Sequence, residues 1–216
     1  MPLKGAFINL GAGLLGALPN IVLFQFNPLR VSRTPRLVQF PVQSDGSGSS
    51  DATQQPGEPS ESYSFSLRLD ATDQLAASNP IAAASGILPA LSALELLMVP
   101  KDSLTIDLFK LSGGNSPHQH PPQRLPTVLF FWGPFRILPV TVNSLSVSET
   151  EYDQLLNPIR AEVSVTLQVL TTSNLRGQPI AQGAYQYSQG VKEVMAALNL
   201  ANTAAMGVSG GISLTF

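Results

Sequence analysis

The sequence predicts a mainly β fold with one helix packed against it, followed by a C-terminal tail that is partly helical and partly extended. Three observations predict this. Apolar and polar residues alternate at period two over Tyr63 to Leu69 and again over Ile159 to Leu170. Before the tail, helical spacing recurs only between Ala71 and Met98. The 18 prolines and 17 glycines of the 216 residues divide much of the remainder into short extended runs.

Residues 3 to 9 and 20 to 26 have the pattern of short strands joined by the glycine-rich Gly11 to Pro19. Arg30 to Phe40 continues an extended path, because Pro35 and Pro41 both oppose a helix. Residues 44 to 62, dense in Gly, Ser, Gln, Pro and acidic side chains, offer little to bury and are expected to form a mobile surface loop. Tyr63, Phe65, Leu67 and Leu69 then share one face of a strand, with Ser64, Ser66 and Arg68 on the other. Ile87, Leu88, Leu91, Leu94, Leu97 and Met98 recur at helical spacing, and Asn79-Pro80 marks a start, so a helix is expected over residues 79 to 98. Pro89 lies inside that pattern and predicts a kink or break there.

A strand over Leu104 to Phe109 and a Gly-, Pro-, Gln- and His-rich loop over Ser112 to Pro126 follow. Val128 to Trp132 is apolar enough to be buried on both faces, and residues 136 to 152 hold a further strand or two. Asn157-Pro158 then turns the chain into the long strand, where Ala161, Val163, Val165, Leu167 and Val169 share a face. From Ile159 to Leu170 that backbone would span about 40 Å, roughly twice an average strand. A strand of such length is expected to present an unpaired edge that recruits another chain. After a turn at Arg176 to Pro179, Ser188 to Met206 is Ala-rich and helix-permissive, and Ile212 to Phe216 is strand-like.

Charged residues make up only 12% of the chain, about half the usual share. A surface so poor in charge is expected in an oligomer or particle component. The net charge of -2 supplies no basic field for phosphates, which argues against nucleic acid as a partner. Cysteine is absent, so disulfides and thiolate metal sites are excluded. Gly5 to Leu18 is apolar, but one lysine, several glycines and no small-residue cleavage site argue against a signal peptide. No run reaches the ~20 apolar residues of a membrane span, so no direct membrane insertion is expected.

No catalytic, cofactor-binding or metal-binding set emerges. Gly11-Ala12-Gly13-Leu14-Leu15-Gly16 fits the dinucleotide fingerprint, yet Pro19 leaves no room for the helix that must follow. His118 and His120 have no thiolate or carboxylate nearby to complete a metal site, and no nucleophile elbow accompanies them. Glu149, Glu151 and Asp153 alternate along an exposed turn rather than forming a desolvated acid-base pair. Asp102 and Asp107 form no constellation. Trp132 with Phe130, Phe131 and Phe135 is expected to be core rather than a stacking platform. Asn27 and Asn157, each before a proline, have the character of turn formers.

Taken in order, Phe24-Gln25-Phe26-Asn27-Pro28, Ser32-Arg33, Phe130-Phe131-Trp132-Gly133 and Asn157-Pro158-Ile159-Arg160-Ala161 resemble the tube-like domain of contractile injection systems, the phage-tail-like particles. The resemblance covers residues 20 to 171 and is strongest to the adaptor that joins the inner tube to the spike. It implies a small β-barrel or sandwich over residues 1 to 174, whose sheet lines a continuous tube in a six-fold ring. Phe24, Phe26, Asn27, Pro28, Trp132, Gly133, Pro158, Arg160 and Ala161 would be its assembly motif, with Arg160 pairing with a neighbour's carboxylate. The implied partners are further copies in a hexamer, a tube or tube-initiator protein, a spike or hub protein and baseplate proteins, assembled in the bacterial cytoplasm. Such a role is structural, not enzymatic. Residues 175 to 216 do not spell the LysM module usual in these adaptors and would be a docking tail. The alternative is a monomeric β-sandwich that binds carbohydrate or peptide through its aromatic cluster.

Overall fold

A computed structural model of the chain describes residues 3–10, 20–37, 58–100 and 125–210. Among them the fold is mainly β. Seven strands, β1 (Ala6–Asn9), β2 (Ile21–Leu23), β3 (Val31–Arg36), β4 (Ser60–Asp70), β5 (Val128–Phe131), β6 (Ile137–Tyr152) and β7 (Pro158–Val169), form one sheet in the order β2-β1-β5-β6-β7-β4-β3. Every neighbouring pair is antiparallel. Three short helices, α1 (Thr72–Ala76), α2 (Pro80–Ser85) and α3 (Leu88–Glu95), connect β4 towards β5, and α4 (Pro179–Gly210) follows β7.

Alternation decides the faces. Tyr63, Phe65, Leu67 and Leu69 of β4 are buried, as are Ala161, Val163, Val165, Leu167 and Val169 of β7. The paired rows Phe65–Val165–Leu145 and Leu67–Val163–Val147 carry the same face across three strands. Phe65 also stacks on Phe130 of β5 at 5.4 Å between ring centroids, although two strands separate β5 from β4 in the sheet. The sheet therefore curls over on itself. Phe7 and Phe24 complete the aromatic centre, 4.9 Å apart edge to face. The sheet does not close, since β2 and β3 remain its two ends.

The long strand is not an edge. β7 lies between β6 and β4 and is paired along both sides, which overturns the expectation that its length exposes unpaired backbone. The strand beside it, β6, is a single element of 16 residues with a bulge at Asn143, where the sequence left one strand or two open.

The helical region also differs from the single helix expected over residues 79 to 98. Asn79 does cap α2, its Oδ1 accepting from the N–H groups of Ile81 (2.9 Å) and Ala82 (3.4 Å). The break falls at Gly86, φ +55°, and not at Pro89, which occupies the first turn of α3 where its missing N–H leaves no bond unmade. Ile87, Leu91, Leu94 and Leu97 enter the core from this segment.

Ser60 to Ser62 belong to β4, so the expected loop over residues 44 to 62 overreaches by three residues; residues 44 to 57 lie outside the described residues. The strand expected over Leu104 to Phe109, the loop up to residue 124, the Gly11 to Gly16 fingerprint, Asp102, Asp107, His118, His120 and the strand-like Ile212 to Phe216 also lie outside them. The tail helix begins at Pro179, well before Ser188, because Ala181, Tyr185 and Ser188 pack on the body and offset the low helix propensity of Gly183 and Gly190.

Candidate functional site

The four strands β6-β7-β4-β3 form a patch whose two faces have opposite chemistry. Behind the core face, the outer face presents hydroxyl and amide rows that cross every strand: Ser144–Thr166–Ser64–Ser32 and Thr141–Gln168–Ser62–Thr34. A third row, Ser146–Ser164–Ser66, lies between β6 and β4, with the two serine oxygens of Ser66 and Ser164 3.3 Å apart. Charge enters this face at the cross-strand pair Arg68–Glu162, at Asp70, Arg160 and Glu151 where the patch ends, and at Arg36 on β3.

Both edges of the patch are open among the described residues. β5 pairs with β6 only over Ile137 to Val140, leaving the far side of Thr141 to Tyr152 without a strand. β3 closes the other side with no outer neighbour. Pro35 pairs with Glu61 of β4 and has no N–H, so it occupies a position turned to the open side, and Val31 and Arg33 share that parity. The outer edge of β3 thus offers two donors and three acceptors. Proline blunts it without closing it.

At one end of the patch Arg160 fixes the start of β7. Its Nε donates to Asp70 at 2.8 Å and its Nη1 to Glu151 at 2.6 Å, while Nη2 donates to the Thr72 hydroxyl at 3.2 Å. These partners lie within the same chain, which corrects the expectation of a neighbour's carboxylate. The Asp70 carboxyl stays below its usual range: partial desolvation opposes this, and hydrogen bonds from Thr72 and Arg160 outweigh it. Pro158 is buried and its carbonyl accepts the Ile87 N–H at 2.9 Å, joining β7 to the α2–α3 corner. Ala161 is buried beside Leu69.

The Phe24 to Pro28 segment crosses the same end. Phe24 is core, whereas Phe26 is exposed, with the Arg68 guanidinium 5.9 Å above its ring. Gln25 brackets the end of β4 by accepting from the Asp70 N–H (2.9 Å) and donating to its carbonyl (2.5 Å). Asn27 is more than a local turn former: it accepts from Gly5 N–H (2.9 Å) and donates to the Leu3 carbonyl (2.8 Å), stitching the segment to the chain start. With Pro28, Leu29 and Arg30 these residues wall an open cleft of about 1200 Å³ over the outer face. Asn157 likewise reaches the Ala84 carbonyl, while Asp153 organises the β6–β7 turn by accepting from the N–H groups of Leu155 and Asn157.

Trp132 and Gly133 do not join this patch. Phe130 is fully buried and Trp132, half-buried like Phe131, lies against it at 6.0 Å, but Phe135 is 63% exposed, which corrects the expectation that the whole run is core. Gly133, φ +82°, allows the tight turn from β5 to β6. Glu149 and Glu151 are exposed at the end of β6, apart from the turn carboxylate Asp153.

One cluster escaped sequence reasoning. Glu61, only 6% exposed, accepts from Arg33 of β3, from Tyr63 (2.7 Å) and from Lys192 of α4 (3.0 Å). Burial alone would raise its pKa, but these three hydrogen bonds hold it below the usual glutamate value. Tyr63 is raised by desolvation and by donating to that carboxylate. The only signal was the alternation Glu61-x-Tyr63, which puts a carboxylate on the inward face. The cluster ties sheet edge to tail helix.

Among the described residues no three His, Cys, Asp or Glu side chains gather as a metal site, and no helix is long and apolar enough to cross a membrane. No protein-family model matches the chain, and no curated protein matches its sequence.

Proposed function

We propose that the chain is a structural ring component of a contractile injection particle, joining the inner tube to the spike and baseplate, with no catalytic role. The observation that carries this is the four-stranded patch with a hydroxyl-rich outer face and, among the described residues, two open edges. Because β6 and β3 are three antiparallel steps apart, they run in opposite directions. A copy rotated about an axis along the strands would therefore set its β6 antiparallel to β3 and continue the sheet without changing its alternation. Ser144 to Glu149, the regular open stretch of β6, matches the six residues of β3 in length.

Repeated around an axis, the patch makes a tube-like barrel with its hydroxyl rows on one wall. Hydroxyls hydrate readily and carry no net field, which suits a passage for cargo of varied charge. Six copies, the tube or tube-initiator protein, the spike or hub and the baseplate are supplied by the sequence resemblance. The alternative, a monomeric carbohydrate- or peptide-binding module, needs a group of exposed aromatic faces, whereas Phe130 is buried, Phe131 and Trp132 are half-buried and Phe135 alone of the cluster is exposed.

The test is assembly. Light scattering and negative-stain microscopy of the purified chain should give closed rings. Val31→Pro removes an outward donor of β3 while sparing the bonds to β4, so it should yield a folded monomer with unchanged near-ultraviolet dichroism. A wild-type chain that stays monomeric, or V31P rings like those of the wild type, would refute the proposal.

A further inference from the structure

We infer that the outer half of α4 is a self-association helix, in which Met195, Leu198, Asn202 and Ala205 of one copy meet the same residues of sister copies in a parallel, in-register seam. The 32 residues of α4 span about 48 Å at ~1.5 Å each. Contacts with the body fall on the first part: Ala181, Tyr185 and Ser188 are buried, Tyr187 Oη donates to the Pro134 carbonyl (2.9 Å), and Lys192 reaches Glu61. From Glu193 to Met206 every residue is exposed. Val194, Leu198, Leu200 and Met206 stand 58%, 57%, 72% and 59% exposed.

Three features point to a second copy as the occupant. No residue from Val194 to Met206 is charged, so identical helices meet without like-charge repulsion, and a charged partner finds nothing to match. Met195, Leu198, Asn202 and Ala205 follow the 3-4-3 spacing of a coiled-coil seam. Asn202 falls at a core position of that seam. A lone core asparagine is costly against an apolar partner, but satisfied when it meets its own counterpart in a parallel register.

Area sets the context. A contact strip ~10 Å wide along the ~20 Å of exposed helix covers roughly 200 Å² per copy, or about 400 Å² for a pair. That is well below the ~1,200 Å² of a stable interface. The seam therefore rests on the ring reading, since it forms only where other contacts already hold the bodies together. Rotation about a ring axis keeps every α4 at the same height, and helices that run along that axis also point the same way, as a parallel in-register seam requires.

The chain has no cysteine, so a single introduced thiol reports one contact. In the full-length protein, Ala205→Cys under mild oxidation should give a disulfide-linked dimer, whereas Leu200→Cys on the opposite face should not. Adding Leu198→Lys to A205C should abolish that cross-link while light scattering still records rings. Rings in which A205C cross-links no better than L200C would overturn the seam and leave the ring reading standing. A chain that never leaves the monomer overturns both. Cosedimentation with phosphatidylglycerol vesicles that suppresses the A205C cross-link would assign the helix to a lipid surface and overturn the seam as well.

Discussion

Replacing Gly86 with alanine should cost about 3 kcal/mol of stability, through the junction between the α2–α3 corner and the start of β7. Gly86 sits at φ +55°, ψ -128°, where a side chain costs ~1–3 kcal/mol in backbone strain. An added Cβ would lie 2.1 Å from the Pro158 carbonyl oxygen, a backbone atom fixed at the head of an interior strand. Relief requires the corner to withdraw, which sacrifices the Ile87 N–H bond to that same oxygen, worth ~1 kcal/mol. A chain this long loses about 2–4 °C of melting temperature per kcal/mol, so G86A should melt roughly 6–12 °C lower. Gly177→Ala is the control: its φ is +80° with open space around the missing Cβ, so only backbone strain of ~1 kcal/mol applies. Thermal and urea unfolding by circular dichroism, run in the V31P background at matched concentration, removes the effect of assembly on melting. A G86A loss no greater than that of G177A would refute the reasoning.

Glu61→Gln should destabilise the chain by roughly 2 kcal/mol, discounted because Arg33 and Lys192 are about two-fifths exposed. Since the folded pKa of Glu61 lies below its unfolded value, its contribution is present above about pH 4.5 and is lost as the pH falls through the folded value. E61Q should therefore flatten the acid limb of urea-unfolding stability, and an acid limb parallel to the wild type would refute this. Arg160→Ala removes the clamp on Asp70 and Glu151, so hydrogen exchange should quicken over residues 150 to 159 while the β4 amides keep their protection; uniform acceleration would instead mean global loosening.

Period-two alternation made β4 and β7 legible because each buries a single face, and the Asn79 cap was legible because its chemistry is local. Pairing was not legible. The length of β7 signalled that it needed neighbours, but whether they come from the same chain depends on β6 continuing through Pro139 and a bulge, which no local pattern announces. Glu61 was hidden for a related reason. A serine- and glutamate-rich stretch resembles a solvated loop until the sheet places Arg33 beside it and α4 brings Lys192 from 131 residues away. Arg160 was placed at the right strand end, yet its partners Asp70 and Glu151 become neighbours only through the register of three strands.

That interior position of β7 changes the kind of assembly the patch supports. An exposed long strand could pair with its own copy across a two-fold axis and stop at a dimer. β6 and β3 are different edges, one long, hydroxyl-rich and bulged at Asn143, the other six residues long and blunted by Pro35. Joining unlike edges gives a heterologous contact, which propagates and ends only by closing a ring or continuing as a helix. In the proposed ring, sheet twist would rotate each copy relative to the last in a fixed sense, and that accumulated rotation is what closure requires. A stable two-fold dimer joined through β6 alone would contradict this geometry even if the protein proved oligomeric.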